Sequence, residues 1–131
     1  MEFARAIDLL RDQVPGLTLV TLYGSHARGD AGAGSDVDLA VLADGPIDLW
    51  TLLGLQADVA ALLDADVDLI DLWAADDVLR VQVIEHGRVL YERDAAARAR
   101  FEMHALSRYA HLNEERRAIL IDVLRRGSVY G

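Results

Sequence analysis

Apolar and polar positions along this chain switch between two periods, and the switches outline its elements. Phe3, Ala6, Ile7, Leu9 and Leu10 recur at helical spacing and predict an amphipathic helix over residues 2–14, ended by Pro15-Gly16. Leu17 to Tyr23 is a run of aliphatic, β-branched and aromatic residues closed by Gly24, which predicts a strand. From Asp36 to Ala43 the pattern alternates: Val37, Leu39 and Val41 face one way, and Asp36, Asp38, Ala40 and Leu42 face the other. Pro46 is expected to open a helix to about Leu63, with Ile47, Trp50, Leu53 and Leu55 among its apolar positions. Val67 to Leu72 reads as a third strand. Asp76-Asp77 suit the start of a helix that ends near His86-Gly87, and Arg88 to Tyr91 forms a short fourth strand. No Pro or Gly interrupts the chain from Asp94 to about Arg126. This predicts one long helix or a broken pair, with Phe101, Ala105, Tyr109, Leu112, Ile119, Leu120 and Val123 apolar and Gly127 as the stop. Strands interleaved with helices make this an α/β (α+β) chain.

A length of 131 residues suits a single domain, 1–131, divided into a core over 1–93 and a C-terminal helical arm over 94–131. The absence of cysteine excludes disulfides and thiolate metal sites. The first residues carry no basic stretch followed by an apolar segment, and no apolar run approaches the ~20 residues needed to span a bilayer, so the cytoplasm is the expected location. A net charge of −9 opposes a phosphate backbone and argues against direct nucleic-acid binding. The same charge is compatible with a metal–nucleotide complex or a basic protein partner, and it also serves solubility.

The chemistry concentrates between Gly24 and Asp38. Gly24-Ser25 forms a turn whose backbone N–H groups and hydroxyl suit phosphate oxygens, and Ser25 is placed to N-cap a short helical turn through Arg28. Gly29 to Ser35, rich in Gly and Ala, is expected to be a mobile connection. Asp36 and Asp38 then project two carboxylates from one face of a strand, as oxygen ligands for Mg²⁺. The D-x-D spacing alone is weak, because Asp64/Asp66 and Asp66/Asp68 share it. Strand context separates Asp36 and Asp38: a carboxylate on a face with Ala40 and Leu42 is costly without a partner. Displacement at phosphorus calls for a third carboxylate, and the third strand offers Asp68 and Asp71 on opposite faces, between which the pattern does not choose. Arg28 suits either a triphosphate oxygen or its neighbour Asp30. His26, His86, His104 and His111 form no ligand set, and His104 and His111 are expected on a solvated face. Tyr91, Tyr109 and Tyr130 read as packing residues, and the P-loop pattern is absent.

The series G-S-x10-D-x-D followed by V-D-L-I-D-L resembles the nucleotidyltransferase superfamily related to DNA polymerase β. Within it, the chain is similar to the minimal nucleotidyltransferases (MNT) encoded beside HEPN-domain proteins in prokaryotic toxin–antitoxin pairs. The likeness spans G-S-H-A-R-G-D-A, D-V-D-L, the third strand, and R-V-L-Y-E-R-D entering the long helix. It implies a mixed β-sheet flanked by helices. It also implies that Gly24 and Ser25, with Arg28 as a candidate, hold the triphosphate of ATP, that Asp36 and Asp38 bind Mg²⁺, and that Asp68 rather than Asp71 is the third carboxylate. Asp68 would ligate the catalytic metal and help deprotonate the attacking hydroxyl. The resemblance further implies an antitoxin that transfers AMP to a hydroxyl, a tyrosine, of a HEPN ribonuclease toxin within a hetero-oligomer. The alternatives are transfer to a small molecule of aminoglycoside type, and neutralisation mainly by binding through the long helix.

Overall fold

The computed structural model describes residues 1–32 and 34–127. Ala33, inside the Gly29–Ser35 connection, and Tyr130 lie outside the described residues. Four strands, β1 (Leu19–Tyr23), β2 (Val37–Leu42), β3 (Val67–Asp71) and β4 (Arg88–Glu92), form one sheet in the order β3-β2-β1-β4. β1 pairs antiparallel with both β2 and β4, whereas β2 and β3 run parallel, so the sheet is mixed. The parallel pair needs a crossover, and α3 (Leu49–Leu63) supplies it between them.

Alternation along the strands sorts the side chains into two layers. Val20, Leu22, Val37, Leu39, Val41 and Leu69 point to one face, where α1 (Ala4–Gln13) and α3 cover them with Leu10, Leu55 and Val59. Burying an aliphatic side chain of this kind contributes about 1.5–3 kcal/mol, so this layer dominates the core. Leu19, Ala40, Leu42 and Leu72 point to the other face, beneath Val83 of α4 (Asp77–His86) and Phe101 of α5 (Ala95–Arg125). The end of α4 approaches β1 closely: a Cβ at Gly87 would overlap the Val83 carbonyl and the Thr21 methyl.

The expected elements are all present, with informative shifts at their ends. α3 begins at Leu49, not at Pro46. The Ile47 N–H is drawn to the carboxylate of buried Asp71 across 2.8 Å, and Asp48 then caps the helix by accepting from Thr51 N. Asp71 accepts a second bond from Trp73 N, 3.0 Å away, so both of its oxygens hold loop backbone. α5 is a single continuous helix. Asp94 caps it by accepting from Ala96 N and Ala97 N, and it packs on α4 through its first half. Phe101, Ala105, Tyr109 and Leu112 are at least partly covered, whereas Ile119, Leu120 and Leu124 are exposed, so the second half of the helix leaves the body of the protein. Of the tyrosines read as packing residues, Tyr91 sits under the Arg11 guanidinium, 5.2 Å from the ring centre.

Replacing Asp71 with Ala leaves two backbone N–H groups without their charged acceptor. The expected loss is about 2–4 kcal/mol of unfolding free energy in urea titrations, because each charge-assisted bond contributes about 1.5–3 kcal/mol. An Asp71→Ala protein as stable as the parent would show that these two bonds do not hold the loops.

Candidate active site

β1 delivers the chain straight into α2 (Gly24–Arg28), and antiparallel pairing sets Tyr23 opposite Asp38. Parallel pairing on the other side of β2 sets Asp68 opposite Asp38. Tyr23, Asp38 and Asp68 therefore lie in one row across three strands, on the face that α4 covers further along. Asp36 precedes β2 at the same end and is exposed, and Asp68 is exposed as well. Asp71, three residues on, is turned into the core. The choice between Asp68 and Asp71 that spacing leaves open is thus made by the sheet: only Asp68 stands beside Asp38.

Electrostatics follow from this crowding. The Asp38 carboxyl is pushed above its ordinary range by partial burial first, then by the charges of Asp68 and Asp36, while His26 and Arg28 act in the opposite direction. The Tyr23 phenol is pushed up strongly by burial and by Asp68 and Asp38, which keeps it neutral and a hydrogen-bond donor. Tyr23 is the site residue that sequence reasoning missed. The one sequence signal for it is its position directly before Gly24; its place opposite Asp38 comes from strand pairing.

Gly24 has φ +69° at the start of α2, and a Cβ there would overlap the Asp38 carboxylate. Glycine is required on both counts. Tyr23, not Ser25, occupies the N-cap position. Ser25 is already helical, and its carbonyl accepts from the Asp30 N–H at 3.2 Å as the turn closes. The connection to β2 is tied at both ends. His26 Nε2 donates to the Ser35 carbonyl at 3.2 Å, and Ser35 Oγ accepts from Gly32 N at 3.0 Å. Arg28 pairs with Asp30 at 3.2 Å on the surface, one of the two partners expected for it. Beside the carboxylates a cavity of about 460 Å³ is lined by Tyr23, Gly24, Arg28, Gln82 and His86.

Among the described residues no three His, Cys, Asp or Glu side chains converge closely enough to enclose a metal ion unaided. That openness suits Mg²⁺, which usually takes one or two carboxylates and completes its shell with phosphate oxygens and water. Mutual repulsion among Asp36, Asp38 and Asp68 is the feature that a divalent cation would relieve.

A mixed sheet that presents strand carboxylates beside a glycine-led helical turn defines a nucleotidyltransferase. The chain belongs to the polymerase beta nucleotidyltransferase family, whose model matches residues 5–96. It is 40% identical over 120 residues to the protein adenylyltransferase MntA of Shewanella oneidensis, covering 92% of this chain and 86% of that protein. A crystal structure of a toxin–antitoxin with AMP-PNP superposes with a TM-score of 0.85 at 39% identity, over 95% of this chain and 99% of the other. A second similar structure is the MNT antitoxin in complex with the tri-AMPylated HEPN toxin of Shewanella oneidensis, with a TM-score of 0.76 at 38% identity, over 92% of this chain and 93% of the other. These likenesses bear out the expected family, mixed sheet and long C-terminal helix.

Two outcomes test the site as built. Gly24→Ala is expected to destabilise the protein by about 1 kcal/mol or more, because it adds a left-handed backbone penalty to the collision with Asp38. A melt unchanged by that substitution would contradict the close approach. A carboxyl whose folded pKa is raised contributes stability below its unfolded pKa, and that contribution is lost as pH rises through the folded pKa. Asp38→Asn should therefore melt higher than the parent at pH 7, with the gap closing as pH falls below the carboxylate range. A variant melting lower than the parent at neutral pH would overturn the crowding.

Proposed function

We propose that this chain is an antitoxin that transfers AMP from ATP to a tyrosine hydroxyl of a HEPN toxin, with Asp36, Asp38 and Asp68 carrying the transfer. The reading rests above all on the row that sets Asp38 against Asp68 beside Gly24. It is supported by the similarity to a protein adenylyltransferase and to an antitoxin bound to an AMPylated toxin. In this reading the first N–H groups of α2, with the Ser25 hydroxyl, hold phosphate oxygens, and Arg28 exchanges Asp30 for the triphosphate. Asp36, Asp38 and Asp68 would hold Mg²⁺, which when bound neutralises charge on the phosphates.

The toxin hydroxyl oxygen attacks the α-phosphorus, its proton passes to the Asp68 carboxylate, and the α–β phosphoanhydride bond breaks to release pyrophosphate. The chain's own contribution is positioning and charge placement. Residues 1–93 serve as the catalytic core and the 94–131 arm as the docking element. The reaction belongs in the cytoplasm, where ATP is available, and no helix among the described residues is long and apolar enough to cross a membrane.

A second reading, neutralisation by binding, is favoured by one observation: the far half of α5 exposes Ile119, Leu120 and Leu124. Docking through that helix is compatible with transfer, since a protein acceptor must bind before it is modified.

Incubation with the cognate toxin, ATP and Mg²⁺ should add whole AMP units to the toxin by intact mass, and only when all components are present. Asp36→Asn or Asp38→Asn should slow this by about a hundredfold or more, the scale on which single preorganised charge-stabilising groups act. Full transfer by the double variant would overturn the residue assignment, and turnover of a free aminoglycoside without toxin would overturn the acceptor. Survival of cells that carry the toxin with an Asp36/Asp38/Asp68 triple Asn variant would show that binding alone neutralises.

A further inference from the structure

The sheet face covered by α4 and α5 holds another cavity at the end away from the carboxylates. It has a volume of about 510 Å³, within the range of small-molecule sites, and its apolar wall is made by Leu42, Ala43, Trp73 and Phe101. Thr18 borders this cavity and Tyr23 the catalytic end, so five residues of strand, about 17 Å, separate them.

Three observations point to what it takes. Trp73 is fixed, with Nε1 donating to the Ala43 carbonyl at 2.7 Å and its ring edge-to-face with Phe101 at 6.5 Å, yet 41% of the residue is exposed. An anchored, half-open indole is a stacking surface rather than core packing. On the same cavity α5 presents Arg100, His104 and Arg108, which helical spacing places on one side. Arg100 enters no ion pair among the described residues. Arg108 uses only Nε for Asp77, at 3.0 Å. The one carboxylate in the lining, Asp44, is engaged by Arg93 at 3.2 Å. In a chain of net charge −9, this is a local excess of cations beside an aromatic wall.

We propose that this cavity is a second nucleotide site, which binds a nucleoside monophosphate with its base against Trp73 and Phe101 and its phosphate on Arg100, His104 and Arg108. An acidic peptide would use the guanidinium groups and leave the aromatic wall unused, so the cavity favours the nucleotide.

Trp50→Phe leaves Trp73 as the only tryptophan, and its emission then reports this end of the sheet alone. Titration of that protein with AMP in EDTA should give a saturable emission change. Arg100→Ser and His104→Gln, both at exposed positions, should each weaken it by about tenfold or more while leaving the melt unchanged. Adenosine and inorganic phosphate offered separately should bind at least about tenfold more weakly than AMP, and an Asp36→Asn/Asp38→Asn protein should keep the signal. The proposal is overturned if AMP gives no response, if both α5 variants bind AMP like the parent, or if the catalytic double variant loses the signal. It is likewise overturned if phosphate or adenosine alone matches AMP, or if polyglutamate binds where AMP does not.

Discussion

Asp38 and Asp68 carry like charge and stand next to each other on adjacent strands, an arrangement that costs energy in the isolated chain. It persists because strand pairing enforces it. β2 and β3 meet in parallel register across a buried layer of Val37, Leu39, Val41, Val67 and Leu69, and sliding β3 by one residue would turn Val67 and Leu69 out of that layer. The buried layer thus holds the two carboxylates side by side at one end of the sheet, and Asp36 adds its charge to theirs. The same register leaves Asp71 buried, where it holds the backbone of Ile47 and Trp73. Two aspartates three residues apart therefore have unrelated surroundings: Asp68 stands exposed beside Asp38, and Asp71 is buried among loop backbone groups.

From this row the rest of the catalytic end follows. β1 must end opposite Asp38, so Tyr23 joins the row and Gly24 turns the chain immediately after it. A side chain at Gly24 would displace the Asp38 carboxylate and strain the left-handed backbone there. α2 begins there, and His26 reaches across to Ser35 to fasten the connection just before Asp36. The glycine-led turn is consequently fastened to the segment that leads into the carboxylate strand. The opposite end of the sheet is organised differently, around Trp73, Phe101 and the cationic side of α5. One sheet thus presents an acidic end and a basic, aromatic end, with α4 and the first half of α5 between them.

Local signals outlined these elements: helical spacing marked α1 and α5, apolar runs bounded by glycine or aspartate marked the central strands, which are buried on both faces, and a glycine turn marked α2. The ends were less legible. Pro46 looked like a helix start, but the Ile47 N–H is claimed by Asp71, which is distant in sequence, so the helix waits for Asp48. Ser25 looked like a cap, but the strand runs directly into the helix and leaves that position to Tyr23. Gly24, Asp36 and Asp38 were readable because they lie within one short segment with a distinctive spacing. Tyr23 was not, because its relation to Asp38 exists only through cross-strand pairing.

The sequence by itself determined the elements, the acidic surface, the phosphate-and-carboxylate segment and, through its resemblance to a known family, the class of chemistry. These are local properties, set by residue type and spacing within a few turns or one strand. Spacing left Asp68 and Asp71 open and the resemblance favoured Asp68, but only the tertiary structure stands Asp68 beside Asp38, sets Tyr23 next to it, and gathers Trp73 and the α5 cations around one cavity. Such pairings join residues far apart in the chain. Only sheet register and helix packing bring them together, because those depend on burying the two apolar layers as a whole.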